Sequence, residues 1–236
     1  MKSWLQLFRA PNLFTVPGDP LAGFLLASAG AARIDPALLP VILASLLFYG
    51  FGLLLNDLMD LCEDRLERPA RPLPSGAVNP RAVWSAAILL PLLGLAVCAL
   101  IGQRTLCIGG GIVAAVIAYN CGLKKIPVIG AMNMGLCRGL NLLLGATLAQ
   151  SISTAALAGA SFNIIYITGV TLLARSETSN PAVPPLIGTL IRALILIQAF
   201  FCFLSGAGRI APISTAVLAL ALWPLSIIVG KRFYAS

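Results

Sequence analysis

Apolar residues in this chain fall in long blocks, without the alternation of half-buried strands. Eight blocks stand out, at about 11–31, 37–56, 82–101, 105–121, 128–149, 152–173, 186–205 and 211–230. Each approaches the about 20 residues a helix needs to cross a bilayer core of about 30 Å. Between them lie chain breakers: Asp35-Pro36, Gly122 to Pro127, Pro181 with Pro184-Pro185, and Gly206 to Pro212. The pattern predicts an all-α, polytopic transmembrane bundle of about eight spans, organised as a single domain over 1–236. Its first block is the least regular, because Pro17, Asp19 and Pro20 interrupt it and predict an amphipathic entry before the crossing helix. The same residues break any signal-peptide apolar core, so no cleaved leader is expected.

Composition narrows the class. Hydrophobic residues make up 59% of the chain and charged ones 10%, against about 25% charged in soluble domains. Histidine is absent, which removes imidazole catalysis and His metal sites. The six cysteines are scattered, mostly inside apolar blocks and with no C-x-x-C pair, and read as buried small hydrophobes. A formal charge of +8 would suggest nucleic acid in a soluble protein; membrane orientation accounts for it better here. Alternating the loops gathers Lys2, Arg9, Arg65, Arg68, Arg71, Arg81, Lys124, Lys125, Arg175, Lys231 and Arg232 on one side, with Arg33, Arg104 and Arg209 opposite. The positive-inside rule then predicts cytoplasmic termini in a cell (inner) membrane. Arg138 and Arg192 fall within spans, where a charge costs at least ~2.5 kcal/mol and calls for a partner or a wet cavity.

Five of the eight acidic residues, Asp57, Asp60, Glu63, Asp64 and Glu67, lie at the end of the second block. Helical spacing sets Asp57, Asp60 and Asp64 on one face, with Asn56 one turn before Asp60 and Tyr49 two turns before Asn56. Two readings fit. Three carboxylates held together repel one another unless a cation joins them, and hard oxygen ligands favour Mg²⁺, which commonly bridges to phosphate or diphosphate. Alternatively the acids end a solvated helix and pair with Arg65, Arg68 and Arg71.

The residues that follow weigh on this choice. Asn56-Asp57-Leu58-Met59-Asp60-Leu61-Cys62-Glu63-Asp64 and then Arg68-Pro69-Ala70-Arg71-Pro72-Leu73-Pro74-Ser75-Gly76 resemble the first signature and the following loop of the UbiA family of intramembrane prenyltransferases. Arg9-Ala10-Pro11-Asn12-Leu13 and Tyr119 to Lys125 are also similar to family features, and Met134 to Asn141 resembles its EboC-like branch. The resemblance implies a bundle of usually nine spans with a cavity open to the cytoplasm and laterally to lipid. It also implies Mg²⁺ on two Asp-rich motifs, a polyprenyl diphosphate donor, and an aromatic or other lipophilic acceptor. On this reading Asn56, Asp60 and Asp64 hold Mg²⁺ with help from Asp57, and Lys124 contacts diphosphate oxygens. Tyr49, Arg65 and Tyr119 join the substrate-binding set. Simple positive-inside charge is the other account of Lys124-Lys125.

Two departures stand beside the match. Where the family has a second Asp-rich motif, Ala174 to Asn180 keeps only Glu177 as a carboxylate, which makes Glu177 the residual metal ligand or Arg175 a substitute cation for the diphosphate. The chain also closes after about eight spans, one fewer than usual. Within the blocks, Arg138 with Asn141 and Asn163 with Tyr166 share faces and either line the acceptor pocket or make interhelical hydrogen bonds. Gly135, Gly139 and Gly145 predict close helix packing. The resulting expectation is a membrane prenyltransferase, with a non-catalytic prenyl-lipid-binding protein as the alternative. A transporter fits less well, because the acids sit at an edge and transporter sites lie near the midplane.

Overall fold

The computed structural model describes residues 2–29, 34–175, 183–206 and 210–233, and among these it is helical with no strand. The helices are α1 (Lys2–Leu7), α2 (Ala10–Leu13), α3 (Gly18–Ala27), α4 (Leu38–Met59), α5 (Leu61–Glu67), α6 (Pro80–Ile101), α7 (Gln103–Asn120), α8 (Pro127–Ala146), α9 (Thr154–Ala174), α10 (Val183–Leu204) and α11 (Ile210–Phe233). A 3₁₀ turn, Leu123–Lys125, joins α7 to α8. Five helices, α4, α6, α8, α9 and α10, are long and apolar enough to cross a membrane, so the chain is a multi-pass membrane protein. At 1.5 Å per residue, the 22 residues of α4 reach about 33 Å.

The first block departs from expectation. Its crossing helix, α3, has ten residues, about 15 Å, half a bilayer core. Pro17 and Pro20 have no N–H to give to the preceding turn, which favours the break between Leu13 and Gly18. Other boundaries follow ordinary caps. Asn79 accepts from Arg81 N–H ahead of Pro80, Ser153 accepts from Ala156 N–H, and Gly102 at φ 153° reverses the chain between α6 and α7.

α8 is the central helix, packed on α3, α4, α7 and α9. The glycines predicted for close packing do this. A Cβ at Gly145 would strike the Pro20 carbonyl, and at Gly135 or Gly139 it would strike α9 at Ile164; Gly23 of α3 is similarly pressed on the Leu142 carbonyl. α6 is peripheral, with Trp84, Ile88, Leu92 and Leu100 exposed, a face for lipid. The cysteine expectation holds in part: Cys98 and Cys202 are buried, whereas Cys62, Cys107 and Cys121 are exposed.

The three aspartates do not share one continuous helix. α4 stops at Met59 and α5 begins at Leu61, with Asp60 between them at φ −92°, ψ 3°. Even so, Asp60 N–H bonds to Asn56 carbonyl at 2.9 Å and Asp64 N–H to Asp60 carbonyl at 2.8 Å. This four-residue spacing keeps all three turned inward: Asp57 and Asp64 are buried and Asp60 half-buried, while Glu63 and Glu67 are exposed.

Candidate active site

Each inward aspartate has a cation of its own, delivered by a different segment. Asp64 is held by both oxygens on Arg71 Nη1, at 2.9 and 2.8 Å. Arg71 belongs to the proline-rich loop, which is anchored by Leu73 and Val78 in a core with Leu7, Leu54, Leu58 and Val83. Asp60 accepts from Lys124 Nζ in a close ion pair, with Lys124 set on the 3₁₀ turn that Gly122, at φ 152°, permits. Arg175 at the end of α9 donates from Nη2 to the Lys124 carbonyl at 2.8 Å, tying that turn to a third helix. Asp57 has Arg9 Nη2 at 3.8 Å from its Oδ1. Arg9 itself sits at φ 44°, ψ 57° at the start of α2, a left-handed conformation uncommon outside glycine.

The arrangement leaves unused acceptors. Asp57 Oδ1 is buried with no hydrogen-bond donor, and so is the side-chain oxygen of Asn120 at the end of α7. Tyr119, half-buried, stands in the electrostatic reach of Asp60, Arg9 and Arg175. Asn56 is half-buried on α4, and Arg65 and Lys125 are exposed, Arg65 without an ion pair among the described residues. Glu177 lies outside the described residues. Among those described, no three carboxylate or thiol groups converge on a common point suited to a metal ion. The structure therefore brings Asp57, Asp60, Asp64, Lys124, Tyr119 and Arg175 to one end of the bundle, and adds Arg9 and Arg71 as partners. Of the pairing of the acids with Arg65, Arg68 and Arg71, the Arg71 pair is the one that forms among the described residues.

Arg138, Asn141 and Asn163 lie elsewhere, around Asp19, which by sequence stands out only as an interruption between Pro17 and Pro20. Asp19 is fully buried, near the middles of α8 and α9. Its Oδ2 accepts from Arg138 Nη1 at 2.6 Å and Asn141 Nδ2 at 3.1 Å. Its Oδ1 accepts from Gln198 Nε2 at 2.7 Å and Asn163 Nδ2 at 3.2 Å. Asn141 Oδ1 in turn accepts from Ser45 Oγ at 2.6 Å. Tyr166, paired with Asn163 in the sequence reading, instead donates to the Leu190 carbonyl of α10 at 2.8 Å, an interhelical bond. Tyr49 is near both centres: the Arg138 guanidinium lies 6.0 Å from its ring centroid, and Arg9 is within its electrostatic reach. A signal for Asp19 was present in the sequence, since a lone carboxylate and a lone arginine inside apolar blocks each require a partner.

Comparison with known proteins places this architecture. The model of the UbiA prenyltransferase family matches residues 20–235. A digeranylgeranylglyceryl phosphate synthase of Methanothrix thermoacetophila is 32% identical over 154 residues, 64% of this chain and 57% of that protein. The synthase of the same name from Saccharolobus solfataricus is 30% identical over 145 residues, 61% of this chain and 51% of its own length. The chain thus spans about half the length of the curated relatives it matches. Among solved structures, a UbiA homologue from Archaeoglobus fulgidus bound to DMAPP and Mg²⁺ superposes with a TM-score of 0.66 at 19% identity, over 99% of this chain and 89% of that one. A digeranylgeranylglyceryl phosphate synthase structure gives 0.63 at 18% identity, over 98% and 94%. Those identities establish a shared fold, and with the family model covering nearly the whole sequence, the chain belongs to the UbiA prenyltransferase family.

Proposed function

We propose that this protein is an integral-membrane prenyltransferase, moving a prenyl group from a polyprenyl diphosphate to a lipophilic or aromatic acceptor with Mg²⁺. The observation that carries the reading is the alternation of Asp57, Asp60 and Asp64 with Arg9, Lys124 and Arg71 at one end of an apolar bundle. A diphosphate needs cations, its metal needs carboxylates, and both are present side by side. The donor set suits Mg²⁺: the ligands are hard oxygens, and the buried, unbonded Asp57 Oδ1 has a lone pair free for an ion or its water. Asn56, Asp57, Asp60 and Asp64 would hold the metal, with Glu177 as the remaining carboxylate of the second motif. Bound there, Mg²⁺ would neutralise the charge that builds on the departing diphosphate.

The chain's own groups do the rest. Arg9, Lys124 and Arg71 neutralise the three carboxylates; with those carboxylates turned to a bound Mg²⁺, the same cations would be available to diphosphate oxygens. Arg175 holds the Lys124 turn in register for this exchange. A cleft of about 590 Å³, bordered by Leu13, Phe14, Leu46, Leu222 and Val229, adjoins the segment that carries Arg9. Its apolar lining suits a prenyl chain. The charge bias of the loops supports a cytoplasmic orientation of this end and of both termini, in a cell (inner) membrane.

A second reading is a non-catalytic protein that binds a prenyl lipid. It is favoured by the lack of three converging metal ligands among the described residues. One experiment separates the two: purified protein is titrated with geranyl diphosphate with and without Mg²⁺, and donor consumption is followed. The prenyltransferase reading expects Mg²⁺-dependent binding and turnover, both lost in Asp60→Asn. Binding that ignores Mg²⁺, with the donor intact, supports the lipid-binding protein.

A further inference from the structure

Asp19 is a buried carboxylate that the donor-binding scheme does not use, and its cost demands an explanation. Four donors from three helices converge on it: Arg138 and Asn141 of α8, Asn163 of α9 and Gln198 of α10. The sequence opens space for this convergence. A Cβ at Gly18 would collide with the Gln198 side-chain amide, so glycine there admits Gln198 to its neighbour Asp19.

The same donors also grip the chain just before Asp19. Pro20 has no N–H for the Val16 carbonyl, which bonds instead to Asp19 N–H at 3.3 Å and receives Asn141 Nδ2 at 3.4 Å. The Thr15 carbonyl accepts from Gln198 Nε2 at 2.7 Å and Arg138 Nη1 at 3.1 Å, and the Thr15 hydroxyl bonds Arg138 Nη2 at 2.6 Å. Irregular backbone at membrane depth survives only where protein or a cavity satisfies it, and here these side chains do so. The break therefore exists in its observed form because Asp19 fixes the orientation of Arg138 and Gln198.

From this fixed break the chain runs back through α2 to Arg9. Thr15 N–H and Oγ1 both bond the Asn12 carbonyl, at 3.0 and 2.8 Å, and Asn12 N–H bonds the Arg9 carbonyl at 2.8 Å. The segment is thus held at Thr15 by the guanidinium that Asp19 anchors, and Thr15 holds Asn12 and, through it, Arg9.

We propose that Asp19 is a positioning residue: through Arg138 and the Asn12–Thr15 segment, it holds the left-handed Arg9 turn so that the guanidinium meets Asp57. Its consequence for donor binding rests on the prenyltransferase reading; its consequence for the segment does not.

The test uses the full chain in detergent as wild type, Arg9→Gln, Asp19→Asn with Arg138→Gln, and the triple variant. Removing both charges together avoids leaving an unpaired arginine in the membrane. Three quantities are read: the melting temperature, amide exchange over residues 4–13, and Mg²⁺-dependent binding of geranyl diphosphate. The paired variant should melt close to wild type while exchange over 4–13 rises on the order of tenfold and α4 and α6 stay protected. Donor affinity should fall to that of Arg9→Gln, and the triple variant no further, since residues acting in one chain of contacts are not additive. Unchanged exchange over 4–13, a rise spread through the whole bundle, or a triple variant whose loss is the product of the other two overturns the proposal. If wild type binds no geranyl diphosphate, the prenyltransferase reading fails, and the exchange measurement alone still decides whether Asp19 holds the segment. If the paired variant does not fold, Thr15→Val, which removes the hydroxyl contact to Arg138, should raise exchange over the same residues to a smaller degree; no rise counts against the proposal.

Discussion

The protein contains two kinds of buried or half-buried aspartate, and they differ in how many partners the carboxylate has. At the end of the bundle, Asp57, Asp60 and Asp64 each face one cation, and Asp57 keeps a buried oxygen with no hydrogen bond. In the middle, Asp19 has none of its surface exposed and both oxygens are filled by two donors each. A carboxylate with one mobile partner can exchange it for a metal. A carboxylate with four fixed partners cannot take part in exchange without unfolding its surroundings. The same residue type is thus suited to ligand exchange in one place and to construction in the other.

The sharpest way to break this contrast is Asp19→Asn alone. It leaves Arg138 charged and unpaired at mid-depth, for which buried pairs suggest a loss of about 3–5 kcal/mol. A large drop in melting temperature in detergent is expected; a stable variant would show that water reaches Arg138 and that the centre is an open site. Asp60→Asn should behave oppositely. Its pair with Lys124 is part-buried, with side chains 25% and 18% exposed, but neutralising one of three neighbouring carboxylates relieves repulsion, so the melting temperature should fall far less than in Asp19→Asn while Mg²⁺-dependent donor binding disappears. If it destabilises the protein as much as Asp19→Asn, the end cluster is structural and the exchange scheme is wrong.

Salt supplies the third comparison. Charges near water are screened over about 8 Å at 0.15 M ionic strength, and buried ones far less. Geranyl diphosphate binding should weaken steeply as salt rises from 0.05 to about 0.5 M, with the melting temperature of the Asp19-centred bundle almost constant. Donor binding indifferent to salt would place the diphosphate away from Arg9, Lys124 and Arg71.

How far the sequence revealed each region follows from the range of the interactions. Helices set by local apolar blocks were legible to within a few residues: the block at 82–101 is the helix Pro80–Ile101, and 105–121 is Gln103–Asn120. The prolines around Asp19 were visible as a disturbance, but the halved length of α3 depended on side chains from α8 and α10 that accept the break. The inward set of Asp57, Asp60 and Asp64 was also legible, because it rests on helical spacing that survives the junction at Asp60. Their partners were less so. Lys124 is 64 residues from Asp60 and Arg138 is 119 from Asp19, and nothing local links them. Sequence shows which buried charges need a partner; only the packing of α8 against α3 and α9 says which partner each receives.

The smallest expected effect tests whether the cation choice at the site is specific or a matter of net charge. Arg65 lies one residue after Asp64 on α5 but is exposed and has no ion pair among the described residues, whereas Arg71, seven residues on, donates from Nη1 to both Asp64 oxygens. The reason is geometric. Asp64 faces inward on α5, adjacent helix positions point about 100° apart, and the proline-rich loop folds back to bring Arg71 to the inward side. Arg65→Ala should therefore leave Mg²⁺-dependent donor binding and melting temperature close to wild type, apart from the small general weakening due to one lost positive charge, which salt should erase. Arg71→Ala removes the same formal charge and should reduce donor binding clearly more, with the difference persisting at high salt. Equal losses in the two variants would mean that the site senses only its overall field, and the paired geometry of Asp64 with Arg71 would then have no part in recognition.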